Sequence, residues 1–412
     1  MQEKELIPQL YRTEFRKIAA VLCRLFGIEH ITIAEDIVSD TFLLAAETWG
    51  LKGIPPNPAA WLYTVAKNKT KDFLKRNTLF NEKISPEVQY TTTQSFEPDI
   101  DLSSSNIRDS QLQMMFAICY PGIPPESQIG LSLRILCGFS IDEIADAFLT
   151  NKETINKRLY RAKEKLKQDA IKIEMPPETQ ISKRIENVLT TLYLLFNEGY
   201  YSSNRNTVLT KDLCLEAMRL THMLSENEST NLPEVNALLA LMCFHASRFD
   251  ARLSPDGELI LYDEQDILLW NNELIKQGQY YLNMAARGNN LSKYHLEAAI
   301  AYWHTAERDS PEKWEKVLSL YNRLLMTEYS PIAALNRTYA LAKVYGNEAA
   351  IIEAEKLGLD QSHLYHSLLG ELYTGVDNKQ AVAHFGTASK LTKTSADKKV
   401  ILKKIAGLKQ KL

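Results

Sequence analysis

Thr154, Lys157, Arg158 and Arg161 fall at i, i+3, i+4 and i+7, so a helix through them carries four hydrogen-bond donors on one face. Donors so spaced suit the major groove of DNA, where an arginine fork matches a guanine edge and a lysine fixes register on phosphates. Lys165 extends that face by a further turn. Between Lys152 and Lys167 seven Lys/Arg stand against two Glu, a local excess in a chain of formal net charge -3. The basicity is therefore confined to one place, as expected of a groove-entering helix rather than of a generally basic protein. A helical hairpin with a solvated, charged outer face would show the same spacing.

A second set combines rings with cations. Trp61, Tyr63, Lys67, Asn68, Lys71 and Lys75 lie in a stretch, Lys52 to Arg76, with six Lys/Arg and one Asp. Aromatic faces stack on unpaired bases and cations hold the phosphates of a single strand, while the Asn68 amide can reach a base edge. Core packing is the ordinary alternative for Trp61 and Tyr63. A third set has the opposite sign: from Glu29 to Glu47 there are five acidic residues and no Lys or Arg. Glu35, Asp36 and Asp40 are expected to face outward, with Ile33, Ile37, Thr41 and Leu44 inward. A carboxylate face is repelled by DNA and calls for a basic protein partner.

The elements that must position these groups are helical. Ser140 with Glu143 and Thr150 with Glu153 form S/T-x-x-E capping boxes ten residues apart, predicting two short helices joined by a tight turn, and Thr32 with Glu35 forms another. On the second helix of the pair Ile155, Leu159, Ala162 and Leu166 make the stripe that should be buried. Asn57-Pro58 supplies a cap followed by proline at the first helical position. Apolar residues recur at three and four spacing from Leu6 to the C-terminus, so the fold class expected is all-α: two small helical domains joined by a flexible linker, then a helical-repeat domain. The expected divisions are 1–77, a polar linker at 78–106, a helix-turn-helix block at 107–175 closed by Met175-Pro176-Pro177, and a large block at 181–412.

At 412 residues the chain has room for two or three cores. Its five cysteines, Cys23, Cys119, Cys137, Cys214 and Cys243, form no C-x-x-C pair and no Cys/His cluster, so neither disulfides nor a metal site is expected. Phosphate-loop, dinucleotide, zinc-protease and nucleophile-elbow motifs are missing from the sequence, which points away from an enzyme and from any cofactor. No apolar run suits a signal peptide or a membrane span, and a cytoplasmic protein is expected.

The order of acidic helix, aromatic-basic helix, polar linker and helix-turn-helix gives residues 5 to 172 a resemblance to the extracytoplasmic-function (group IV, sigma-70) sigma factors of bacterial RNA polymerase. AEDIVSDTFLLAAETW resembles that family's polymerase-clamp-binding helix, NPAAWLYTVAKNKTKDFLKR its −10 element helix, and SLRILCGFSIDEIADAFLTNKETINKRLYRAKEKLK its −35 domain. The resemblance implies docking of Glu35, Asp36 and Asp40 on the β′ clamp coiled-coil of core RNA polymerase, with the β subunit as a further contact. It also implies capture of the −10 strand by Trp61, Tyr63, Lys67, Asn68, Lys71 and Lys75. The −35 element would then be read by Thr154, Lys157, Arg158, Arg161 and Lys165.

TLYLLFNEGYYSS, DLCLEAMRL and LALMCFHASRFDARLSPDGELILYDEQD, with SPIAALNRTYALA further on, resemble a subgroup whose C-terminal extension is tetratricopeptide-like. Offsets of 33 (Trp314 to Asn347) and 31 (Asn347 to Asn378) lie close to that repeat's period. The subgroup's Cys-Cys-His run is replaced here by Ile118-Cys119-Tyr120. Asn197, Glu198, Gly199 and Tyr200 are expected to form a glycine stop, and Asp250, Arg252, Asp256, Glu264 and Asp266 a salt-bridge network. The expected function is promoter-specific initiation, with the extension, and an unidentified regulator acting on it, modulating activity. The competing expectation is a helix-turn-helix regulator with a sensing domain and no use for the polymerase clamp.

Overall fold

The structure, a computed structural model, describes residues 3–84, 100–148, 150–200, 207–252, 260, 262–288, 290–305, 309–392 and 395–410. All regular elements among the described residues are helical. Contacts divide the chain into two compact units, one of residues 1–204 and 208–230, the other chiefly 231–412.

Among the described residues the first unit holds nine α-helices: α1 (Glu3–Phe26), α2 (Ile31–Lys52), α3 (Pro58–Ile84), α4 (Ser104–Ile118), α5 (Pro125–Leu131), α6 (Ile141–Ala147), α7 (Lys152–Gln168), α8 (Glu178–Tyr200) and α9 (Thr207–Glu226). A π turn, Ser132–Leu136, continues α5. Helix α1 packs on α2, α3, α4 and the π turn. On α2 the residues Ile31, Ala34, Ile37, Val38, Thr41, Phe42, Ala45 and Trp49 recur at helical spacing and are buried. As expected, Asn57 caps α3, accepting from the Ala60 amide at 3.0 Å. The expected linker is shorter than its composition suggests: α3 runs to Ile84 and α4 starts at Ser104, capped by Ser103. Its middle, 85–99, lies outside the described residues.

Of the three capping boxes one forms. The Ser140 hydroxyl accepts from the Glu143 amide and the Glu143 carboxylate from the Ser140 amide, starting α6. Gly138, at φ 76°, makes the turn into it, a conformation that a side chain would strain. Helix α7 starts one residue later than the Thr150–Glu153 pair predicted, because Asn151 takes the cap and accepts from Thr154 N at 2.8 Å. Asparagine caps as well as threonine or better. Helix α2 starts at Ile31 after a single 3-10 turn, Ile28–His30, with no side-chain cap, and Glu35 goes elsewhere.

The sequence boundary at 181 also moves. Ile181, Ile185, Val188, Leu189, Leu192, Leu195 and Phe196 on α8 are buried, and α8 packs on α4 and α5. An apolar stripe of that length needs a surface to cover it, and the first unit supplies one. Gly199 sits inside α8, which continues to Tyr200, so it is not a stop.

The second unit holds α10 (Pro233–Ala246), α11 (Phe249–Arg252), α12 (Asn272–Ala285), α13 (Lys293–Trp303), α14 (Pro311–Thr327), α15 (Pro331–Tyr345), α16 (Asn347–Glu355), α17 (His363–Tyr373), α18 (Asn378–Leu391) and α19 (Ser395–Lys409). From α12 onward each helix packs on the next in the chain. The sequence offsets of 33 and 31 start near α14, α16 and α18, so each period is one helix pair. Ser-Pro pairs at 310–311 and 330–331 open two of these helices, with hydroxyl caps on Lys313 N and Ala333 N.

Candidate nucleic-acid interface

On α7 the predicted stripe holds: Ile155, Leu159, Ala162 and Leu166 are buried. Gly130 on α5 leaves room for Leu159, and the stripe packs there against α5. Thr154, Lys157 and Arg161 are exposed together on the far side, a donor face of the kind that enters a major groove. Arg158 does not join them. Its guanidinium lies 5.2 Å from the centre of the Phe148 ring, and Nη1 is buried without a hydrogen-bond partner among the described residues. Lys165 is exposed but pairs with Asp169 at 2.9 Å.

On α3 the aromatic platform is occupied in this arrangement. Trp61 packs edge-on to Trp49, with centroids 5.4 Å apart. The Tyr63 hydroxyl donates to Glu14 Oε2 at 2.6 Å, and burial together with that carboxylate holds the phenol well above its ordinary pKa. Asn68 and Lys75 are exposed, while Lys67 and Lys71 are half-buried. The core-packing alternative thus describes Trp61 and Tyr63 here. Periodicity alone does not separate a stacking ring from a packed one.

On α2 the acidic face is split. Asp36 and Asp40 are exposed as expected, and Asp40 lies 3.7 Å from Lys69. Burial, then the neighbouring charges of Glu35 and Asp40, raises the Asp36 pKa. Glu35, expected outward, is only 7% exposed. Arg134 Nε, on the π turn, reaches its Oε1 at 2.9 Å, and Lys163 of α7 pairs with its Oε2. Arg134 also donates to the Phe139 carbonyl at 3.0 Å and lies over the Phe15 ring. Glu35 turns inward because a buried carboxylate needs cations beside it, and those cations come from residues 99 and 128 positions downstream.

Helices α8 and α9 complete the assembly: Thr191, Glu216 and Arg219 lie in the segments of the subgroup resemblance, which gave them no role, and Arg184 and Asn187 lie outside them. Glu216 on α9 pairs with Arg16 of α1 and, at 2.8 Å, with Arg219. Arg219 in turn donates to the Leu136 carbonyl of the π turn at 2.7 Å. From α8, Arg184 donates to the Phe116 carbonyl at 2.9 Å, Asn187 to the Cys119 carbonyl, and Thr191 to Gln128 Oε1 at 2.7 Å. Cys119 is buried and its thiol is pushed up to about 12 by burial, so it is not a thiolate ready to ligate or to react. Among the described residues no group of three His, Cys, Asp or Glu is placed to hold a metal ion, and no helix is long and apolar enough to cross a membrane.

Family comparisons agree with this layout. Residues 10–79 match sigma-70 region 2, residues 122–166 match sigma-70 region 4, and residues 184–286 match a family of unknown function (DUF6596). An uncharacterized protein, R00370, of Rhizobium meliloti (strain 1021) is 33% identical over 348 residues, 83% of this chain and 82% of that one. The chain belongs to the same family as that protein. RNA polymerase sigma factor YlaC of Bacillus subtilis (strain 168) is 26% identical over 175 residues, 42% of this chain and 96% of that factor. No solved structure matches. The region 2 segment covers α2 and most of α3, and the region 4 segment covers α5 to α7. Together with the Bacillus relative they support a sigma factor of the extracytoplasmic-function type, which interacts with core RNA polymerase and promoter DNA.

Proposed function

We propose that this family member directs promoter-specific initiation by docking Asp36 and Asp40 of α2 on the β′ clamp coiled-coil, with β as a further contact. The −35 element is read by Thr154, Lys157 and Arg161, while Lys165 and Arg158 support the helix that carries them. Trp61, Tyr63, Lys67, Asn68, Lys71 and Lys75 engage the −10 strand after the two rings leave their present partners. The second unit, residues 231–412, as a tetratricopeptide-like extension open to a regulator of its own, modulates access. The sequential helix pairs after Pro311 favour the repeat reading.

The observation that carries this reading is the burial of Glu35 under Arg134 and Lys163. It joins the region 2 acidic helix to the region 4 recognition helix in one closed arrangement, and α9 braces the π turn that carries Arg134. Opening is then a step before polymerase and DNA are both engaged. Run-off transcription with core polymerase on a promoter library tests the proposal. Specific transcripts, made by the full chain and altered when residues 231–412 are removed, are expected. No transcripts and no co-purification with polymerase would return the chain to the regulator class.

A further inference from the structure

One polar cluster in the second unit belongs to neither sigma-70 segment and centres on Tyr262, in the 3-10 turn Tyr262–Glu264. The Arg248 guanidinium lies 5.5 Å from its ring centre and the Lys313 ammonium 5.1 Å. His304 meets the ring edge-on at 5.0 Å and Trp270 stacks at 6.3 Å, while His304 in turn meets Trp314 at 5.7 Å. Lys313 Nζ donates to the Tyr262 hydroxyl at 2.8 Å. Lys313 is 2% exposed and Arg248 8%. The carboxylate beside Lys313 is Asp309 at 3.4 Å, whose side chain is 55% exposed, so water screens it.

Ring contacts stabilise cations without neutralising them. The cluster also holds N–H donors with no acceptor. Arg248 Nε and the indole nitrogens of Trp270 and Trp314 are buried without hydrogen-bond partners among the described residues, as is His304 Nδ1. Buried donors left unpaired are costly and uncommon. The positive field is felt locally: burial, then Arg248 and Lys313, depresses the His304 pKa to about 3, so its ring is neutral. Two buried cations and two indole N–H groups without partners, with no buried carboxylate beside them among the described residues, are complementary to oxygen atoms bearing negative charge. Tyr262 and His304, half-buried, form the edge of the cluster nearest solvent.

We propose that this cluster binds a small oxyanion, the carboxylate or phosphate group of a small molecule, held by Arg248 and Lys313 and by the indole N–H groups of Trp270 and Trp314. The inference stands apart from the sigma factor reading, and either can fail without the other.

The chain has five tryptophans, so the native protein offers five indole N–H resonances. Inorganic phosphate and succinate are titrated separately into the full chain at constant ionic strength, with Trp270→Phe and Trp314→Phe assigning two of the five. Saturable movement of those two signals by either probe is expected. Movement with phosphate alone, succinate alone or both names the group that is recognised. Lys313→Met should weaken binding by at least about tenfold and Lys313→Arg should retain it. If Lys313→Met fails to fold, the native titration and Lys313→Arg stand as the test. Stationary Trp270 and Trp314 signals up to about 10 mM of both probes, a regime of Kd weaker than millimolar, would overturn the proposal. Equal drift of all five signals would overturn it as well.

Discussion

Arg134 Nε lies 2.9 Å from the Glu35 carboxylate, across 99 positions of sequence, and joins the region 4 segment to the acidic helix of region 2. Both side chains are largely buried, at 13% and 9% exposure, and Lys163, at 17%, closes the other carboxylate oxygen. The pair fixes which acidic groups this form of the protein presents: Asp36 and Asp40 are available, and Glu35 is not.

Removing one member of this buried set leaves an uncompensated charge. Arg134→Met should lower stability by about 3 kcal/mol in urea unfolding. The same variant should bind core polymerase more tightly, because the closed form is loosened. Unchanged affinity together with lost stability would show that the pair braces the fold and does not gate docking.

Asp36 and Asp40 contribute little to the fold, since Asp40 is exposed and its contact with Lys69 is long. An exposed pair of this kind is worth about 0–1 kcal/mol. Asp36→Lys with Asp40→Lys should therefore leave the unfolding midpoint nearly unchanged while reducing polymerase capture in a pull-down. Full capture by the double variant would exclude this face from the contact.

Arg161 and Arg158, three residues apart, should behave differently. Arg161→Ala, on the exposed face, should cost about 1–3 kcal/mol on the correct −35 sequence and much less on others. Arg158→Ala should instead reduce thermal stability by about 1 kcal/mol through loss of its contact with Phe148. Titration of promoter DNA, matched and mismatched, separates the two.

The division near residue 230 predicts where the chain can be cut. A protein ending at 230 keeps α8 and α9 and should unfold cooperatively, whereas one ending at 176 exposes the surfaces covered by Leu189, Leu192, Leu195 and Phe196. Each such side chain contributes about 1.5–3 kcal/mol, so the shorter protein should be markedly less stable or aggregate. Equal melting temperatures would place α8 and α9 outside the sigma unit.

His304 links stability to pH. Its pKa in the folded chain is depressed to about 3 by burial and by Arg248 and Lys313, against an ordinary value near 6.5. The unfolded ring binds a proton that the folded one rejects, so the stabilisation is complete above pH 6.5 and is lost as pH falls toward 3. The slope is about 1.4 kcal/mol per pH unit for one ring. Urea midpoints at pH 7 and pH 5 should differ accordingly, and His304→Gln should flatten the difference.

The sequence alone determined the helical class, the Asn57 and Ser140 caps, the buried stripe on α7 and the exposed Thr154, Lys157 and Arg161. Each depends on residues within four positions of one another, where helical geometry leaves little choice. It did not determine the fate of Glu35, Trp61 or Tyr63, the cap of α7, or the end of the first unit. Those depend on which distant surface covers a side chain: Arg134 and Lys163 draw Glu35 inward, Glu14 takes the Tyr63 hydroxyl, and α4 and α5 take up the stripe of α8. A carboxylate reads the same in sequence whether water or two buried cations solvate it, and only the tertiary structure distinguishes the two.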